Sequence, residues 1–139
     1  MLAKFITPVY AHCDLMCGVY DPAQARIEAQ SVLNAVKKYQ ESDDEVFRAR
    51  ALMIKEERAE KVKQHLWVLW TDYFKPEHLE VVPELHTTIW EATKAAGNAK
   101  KSMEIADAQK LIELVDTVGA LFQKTKDGYD YDAVVANLG

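Results

Sequence analysis

Apolar positions recur at helical spacing through most of the chain, and four helices can be read from them. Ala25, Ala29, Val32, Val36 and Tyr39 step by four and three, one stripe of a first helix. Asp21 offers an N-cap, and Pro22 suits the first helical position, where its missing N–H costs nothing. Glu41 to Asp44 interrupts the stripe, and Ser42 with Glu45 forms a capping-box signature. A second helix is predicted from about Asp44 to Phe74, a span of about 45 Å, ended by Pro76. Its inward face carries Phe47, Ala51, Ile54, Arg58, Val62, His65, Leu69 and Tyr73. Arg58 and His65 are polar where apolar residues are expected, so both call for an explanation. Residues 77–82 read as a turn or short helix. Pro83 opens a third helix with Leu85, Ile89, Ala92 and Ala96 inward, and Gly97-Asn98 is a stop signal. A fourth starts near Ser102. Its stripe is Ile105, Ala108, Ile112, Val115 and Phe122, widened by Leu111, Val118 and Leu121, and Asp127-Gly128 ends it. The tail, 127–139, frays or docks on a neighbour.

Amphipathic helices with short connections predict an all-α fold, an antiparallel four-helix bundle over 21–126. No segment of strand period, internal repeat or domain linker stands out. Composition agrees: 28% charged residues with only five glycines and four prolines suits helices rather than a turn-rich β fold. The net charge is −5 and no basic patch appears, which argues against nucleic acid as a partner. No apolar run approaches the roughly 18 residues a membrane span needs. Met1 to Ala11 carries one lysine and too short an apolar stretch for an ordinary secretory signal, so a cytoplasmic location is expected. Val9-Tyr10-Ala11 ends in a small residue, which makes Ala11 a candidate cleavage point.

The chemistry lies ahead of the first helix. His12-Cys13-Asp14-Leu15-Met16-Cys17-Gly18-Val19-Tyr20-Asp21-Pro22 holds both cysteines of the chain, with a histidine directly before the first. A disulfide across so short a loop would staple little. Metal or redox chemistry is the better reading. Two thiolates with nitrogen donors suit Zn, Cu or a square-planar Ni(II).

This arm closely resembles the nickel-binding hook of the nickel-containing superoxide dismutases. Ile54 to Glu60, Leu69 to Pro76 and Pro83-Glu84-Leu85-His86 resemble the same family, so the likeness runs from His12 to about Lys126. It implies a four-helix bundle, a homohexamer with each hook near neighbouring subunits, and one nickel ion per subunit. The implied activity is dismutation of superoxide to oxygen and hydrogen peroxide by Ni(II)/Ni(III) cycling. It further implies that 1–11 is a propeptide removed by a processing peptidase, leaving His12 first in a hook of 12–20. His12 would then give its α-amine and imidazole, Cys13 its thiolate and backbone amide, and Cys17 the second thiolate. The amine and the next amide share one five-membered chelate ring, which accounts for the adjacency of His12 and Cys13. Soft thiolates and an anionic amide favour Ni(III), which aqueous nickel does not reach readily.

By the same resemblance Glu28 holds the axial histidine, with Arg58 as its charge partner. Tyr20 and Tyr73 gate small anions and position water, Asp14 lies at the hook's mouth, and Lys75 attracts superoxide. Met16 stands where the family usually has proline, adding a backbone N–H and a thioether. His65, His78 and His86 read as structural, and Trp67, Trp70 and Trp90 as core or subunit contacts. The alternative to an enzyme is a non-catalytic Ni-, Cu- or Zn-binding helical oligomer.

Overall fold

The computed structural model describes residues 18–138. Four long helices carry the fold: α1 (Ala23–Glu41), α2 (Glu45–Val68), α4 (Leu85–Lys101) and α5 (Ile105–Thr125). Two short ones, α3 (Pro76–Val81) and α6 (Tyr131–Ala136), close the α2–α4 connection and the C-terminus. The long helices form a ring in which α1 packs on α2 and α5, and α4 packs on α2 and α5. Cross-contacts fix their directions. Gln40 near the end of α1 reaches Met103 just before α5, while Arg26 near its start pairs with Asp116 well along α5. Lys55 in the first half of α2 meets Lys100 at the end of α4, and Trp70 beyond α2 meets His86 at its start. These pairs are antiparallel, and the three-residue links 42–44 and 102–104 make α1 with α2 and α4 with α5 antiparallel too, as the short connections predict.

Small residues let the helices approach closely. Ala25 and Ala29 of α1, Ala59 of α2 and Ala92 and Ala96 of α4 have no exposed surface. Leu66, Leu85, Leu111, Val115 and Phe122 fill the space between them. Excluding these apolar surfaces from water supplies the main drive to fold, at about 25 cal/mol per Å² buried.

Several local expectations are corrected. Asp44, not Ser42, caps α2: its Oδ1 accepts the Phe47 N–H at 2.9 Å, while Ser42 Oγ accepts the Asp44 N–H. Asp21 does serve the start of α1, accepting the Ala23 N–H at 2.8 Å. Gly97-Asn98 does not stop the third long helix, which runs on to Lys101 because Ala99 is still buried beyond it. The fourth long helix starts at Ile105 rather than near Ser102.

The inward face of α2 is also rotated from the predicted one. It is Ala51, Lys55, Ala59, Val62 and Leu66, whereas Phe47 and Ile54 are each 43% exposed. Lys55 is the reason. Its ammonium donates to the carbonyls of Lys100 and Ser102 at 2.7 and 2.8 Å, satisfying acceptors at the C-terminus of α4. Desolvation lowers its pKa, and the Glu56 carboxylate opposes that shift. A lysine that finds two carbonyls can sit where an apolar residue is expected.

After Val68 the chain takes a π turn over Leu69–Tyr73, closed by the Phe74 N–H on the Leu69 carbonyl at 2.9 Å. The extra residue in the turn shifts the following side chains around the helix axis. Helix two thus ends as an α-helix at Val68, short of the predicted Phe74.

The C-terminal segment docks on its own bundle. The Tyr131 ring fills the space over Gly119, where an added methyl would overlap it. Gly119→Ala should therefore destabilise the fold by about 1–3 kcal/mol, the usual cost of overpacking; urea unfolding reads the difference.

Candidate metal centre

His12, Cys13, Asp14, Met16 and Cys17 lie outside the described residues. The structure describes what stands next to them along the chain. Gly18, Val19 and Tyr20 lead into Asp21 and α1. Tyr20 lies at the end of the bundle where the π turn and the C-terminus of α5 also arrive. Its ring centre is 5.7 Å from that of Tyr73. Tyr73 in turn packs on Phe122 at 4.4 Å and stacks on His78 at 5.4 Å. The Tyr73 hydroxyl lies 3.1 Å from Thr125 Oγ1, which itself donates to the Phe122 carbonyl. Thr125 Oγ1 therefore accepts from the tyrosine. The π turn brings Tyr73 to this end of the molecule, an arrangement no sequence pattern announces.

Glu28 and Arg58 meet on the seam between α1 and α2. Arg58 Nη1 donates to Glu28 Oε2 at 3.2 Å and lies 3.4 Å from Oε1. The Glu28 side chain is largely covered and that of Arg58 is about one-third exposed. Arg58 Nη2 also lies 3.7 Å from Glu57. Arg58 is thus a partly exposed partner on a helix seam, not a residue of the inward face. Glu28 keeps one carboxylate oxygen with a strong claim on the guanidinium and the other with a weaker one.

Lys75 is exposed and follows the aromatic group directly; its backbone N–H donates to His78 Nδ1 at 3.1 Å. His78 therefore caps α3, and its ring also supports Tyr73. His86 packs edge-on against Trp70 at 5.2 Å. Trp67 and Trp90 are not core residues: both are exposed, with Lys63 and Lys94 ammonium groups 5.7 Å from the respective ring centres.

Three residues that sequence reasoning missed also stand here. The Lys126 ammonium lies 3.4 Å from the Tyr20 carbonyl oxygen, and the Tyr129 hydroxyl donates to Asp21 Oδ1. Thr125 receives Tyr73. Their partners are far away in sequence, so no local spacing signals them.

The donor set fits a thiophilic transition metal. Two thiols and an imidazole stand within six residues of chain, and a square-planar d⁸ ion accepts such a set. Among the described residues no helix is long and apolar enough to cross a membrane.

Comparison with known proteins agrees with this chemistry. The model of the family described as nickel-containing superoxide dismutase matches residues 7–126. The chain is 52% identical over 129 residues to "Superoxide dismutase [Ni]" of Streptomyces seoulensis, covering 91% of this chain and 98% of that protein. A solved native nickel superoxide dismutase superposes with a TM-score of 0.81 at 50% identity, covering 84% of this chain and 100% of that one. Solved variants of such enzymes replace a histidine at the first position, an aspartate at the third and a tyrosine at the ninth. By fold, motif and likeness over most of its length, the chain belongs to the nickel-containing superoxide dismutase family.

Proposed function

We propose that this chain dismutates superoxide with one nickel ion per subunit, held by His12, Cys13 and Cys17 after the bond following Ala11 is cut. The observation that carries the proposal is the His12-Cys13 pair with Cys17, lying inside the span the family shares. A further observation supports it: the first-, third- and ninth-position residues of the solved variants have the spacing of His12, Asp14 and Tyr20.

When bound, nickel supplies the one-electron exchange that turns one superoxide into oxygen and, with two protons, the next into hydrogen peroxide. The polypeptide does the rest. His12 offers its freed amine and its imidazole, and Cys13 and Cys17 offer thiolates. Glu28 accepts from the far nitrogen of the His12 ring and orients it, and Arg58 holds the Glu28 carboxylate in place from the other side. Tyr20 and Tyr73 line the approach and hold water by their hydroxyls, with Thr125 fixing the Tyr73 side. Asp14 stands at the mouth of the hook. Lys75 offers a positive charge to an anion that otherwise meets a protein of net charge −5. In this proposal the trimmed chains assemble as a homohexamer with each hook beside a neighbouring subunit. A processing peptidase frees His12, and the enzyme works in the cytoplasm.

Metal analysis and superoxide turnover on trimmed protein test the proposal. Nickel with turnover supports it; copper or zinc without turnover would favour the non-catalytic oligomer. Glu28→Gln should keep nickel but lose about tenfold in turnover, as loss of a partner behind a ligand typically does. Its thermal midpoint should hardly move, because a partly exposed ion pair contributes about 1 kcal/mol or less. Turnover equal to that of the parent would remove Glu28 from the site.

A further inference from the structure

The segment after Lys126 lies past the span the family model matches, yet it reaches back to the base of the hook. Gly128, at φ 72°, reverses the chain after α5, a left-handed backbone that glycine adopts without penalty. Tyr129 then comes to Asp21, donating its hydroxyl to the same Oδ1 that accepts the Ala23 N–H. One carboxylate oxygen so joins the tail to the first turn of α1. The Lys126 ammonium lies 3.4 Å from the Tyr20 carbonyl and 5.3 and 5.4 Å from the ring centres of Phe122 and Tyr129. The Tyr129 ring packs edge-on against Phe122 at 5.0 Å, in the same aromatic group as Tyr73 and Tyr20.

A second anchor holds the tail in place. The Tyr131 N–H donates to Gln123 Oε1 at 2.6 Å. Its buried hydroxyl donates to Asp116 Oδ1 at 2.8 Å, an oxygen shared with Arg26 Nε at 2.9 Å. Burial and the Asp21 hydrogen bond push the Tyr129 hydroxyl above its ordinary pKa.

We propose that residues 126–131 form a strap that fixes the exit of the hook, with Lys126 and Tyr129 as positioning residues holding Tyr20 and Asp21. This rests on the nickel site proposed at His12, Cys13 and Cys17. Cys17 is three residues before Tyr20, so about 10 Å of backbone at most separates it from the held carbonyl. A hook tethered at this end has less conformational freedom to lose when it closes on a metal. A hook with a slack exit must order more of itself.

The test uses trimmed, nickel-loaded full-length protein and its Tyr129→Phe variant, which keeps the ring and removes the donor. Nickel release to EDTA is followed by loss of the nickel–thiolate absorption. Hydrogen exchange is measured at the Tyr20, Asp21 and Ala23 amides. The variant should release nickel about tenfold faster, the worth of a hydrogen bond to a charged group. Exchange at the three amides should quicken while that of α2 and α4 stays unchanged. Release at the parent rate overturns the strap. If the parent takes up no nickel, the site proposal fails instead, and exchange alone decides: unchanged rates at the three amides then overturn the strap. Should Tyr129→Phe not fold, Lys126→Met, which removes the ammonium from the Tyr20 carbonyl, is judged by the same rates.

Discussion

Protein in which the Ala11–His12 bond cannot be cut should fold normally and have at most about 1% of the turnover of trimmed protein. The reason is chemical rather than steric. While Met1–Ala11 remains attached, the His12 nitrogen is a peptide amide, with its lone pair delocalised into the carbonyl. A free amine at that position is a good donor and, in the proposed site, would share a chelate ring with the Cys13 amide. Losing one donor of the set should cost at least the roughly hundredfold that removing a partner behind a ligand can cost. The bundle begins at Ala23, so helicity and thermal midpoint should match those of the trimmed form. Turnover of cleavage-blocked protein equal to that of trimmed protein, with its mass verified, would refute the ligand set.

Cys17→Ser in the trimmed chain should abolish both nickel retention and turnover, a loss of about a hundredfold or more. A serine hydroxyl stays protonated at neutral pH and is a hard oxygen donor. A thiolate is soft, and would donate charge that brings a bound metal's potential toward the range of superoxide chemistry. Only one oxygen replaces one sulfur, and the position precedes the bundle, so the fold should survive. Metal analysis after gel filtration, with circular dichroism on the same sample, separates loss of the site from loss of the protein. Retained nickel with full turnover would exclude Cys17 as a ligand.

The two features that decide function and fold class were the most local in the sequence. Three donors within six residues need no long-range information to suggest a metal. The α1, α4 and α5 stripes are clean because Ala29, Val32, Leu85, Ile89, Val115 and Phe122 face one core. The stripe of α2 misleads because its buried face contains Lys55 while Phe47 and Ile54 lie on the surface. A stripe argument cannot foresee that a lysine will find the carbonyls of Lys100 and Ser102. The π turn leaves no mark either, since Leu69 to Tyr73 reads as ordinary helix. The partners at the hook's exit were illegible for a different reason: Tyr129 and Asp21 are 108 residues apart. Their meeting depends on how α1 and α5 lie side by side, which the chain reveals only once folded.

The proposed nickel site depends on a free amine at His12. Native mass spectrometry of protein isolated from producing cells, with turnover measured on the same fraction, tests it most directly. Active chains should begin at His12 and carry one nickel each. Full activity in chains that still begin at Met1, or in chains without nickel, would contradict it.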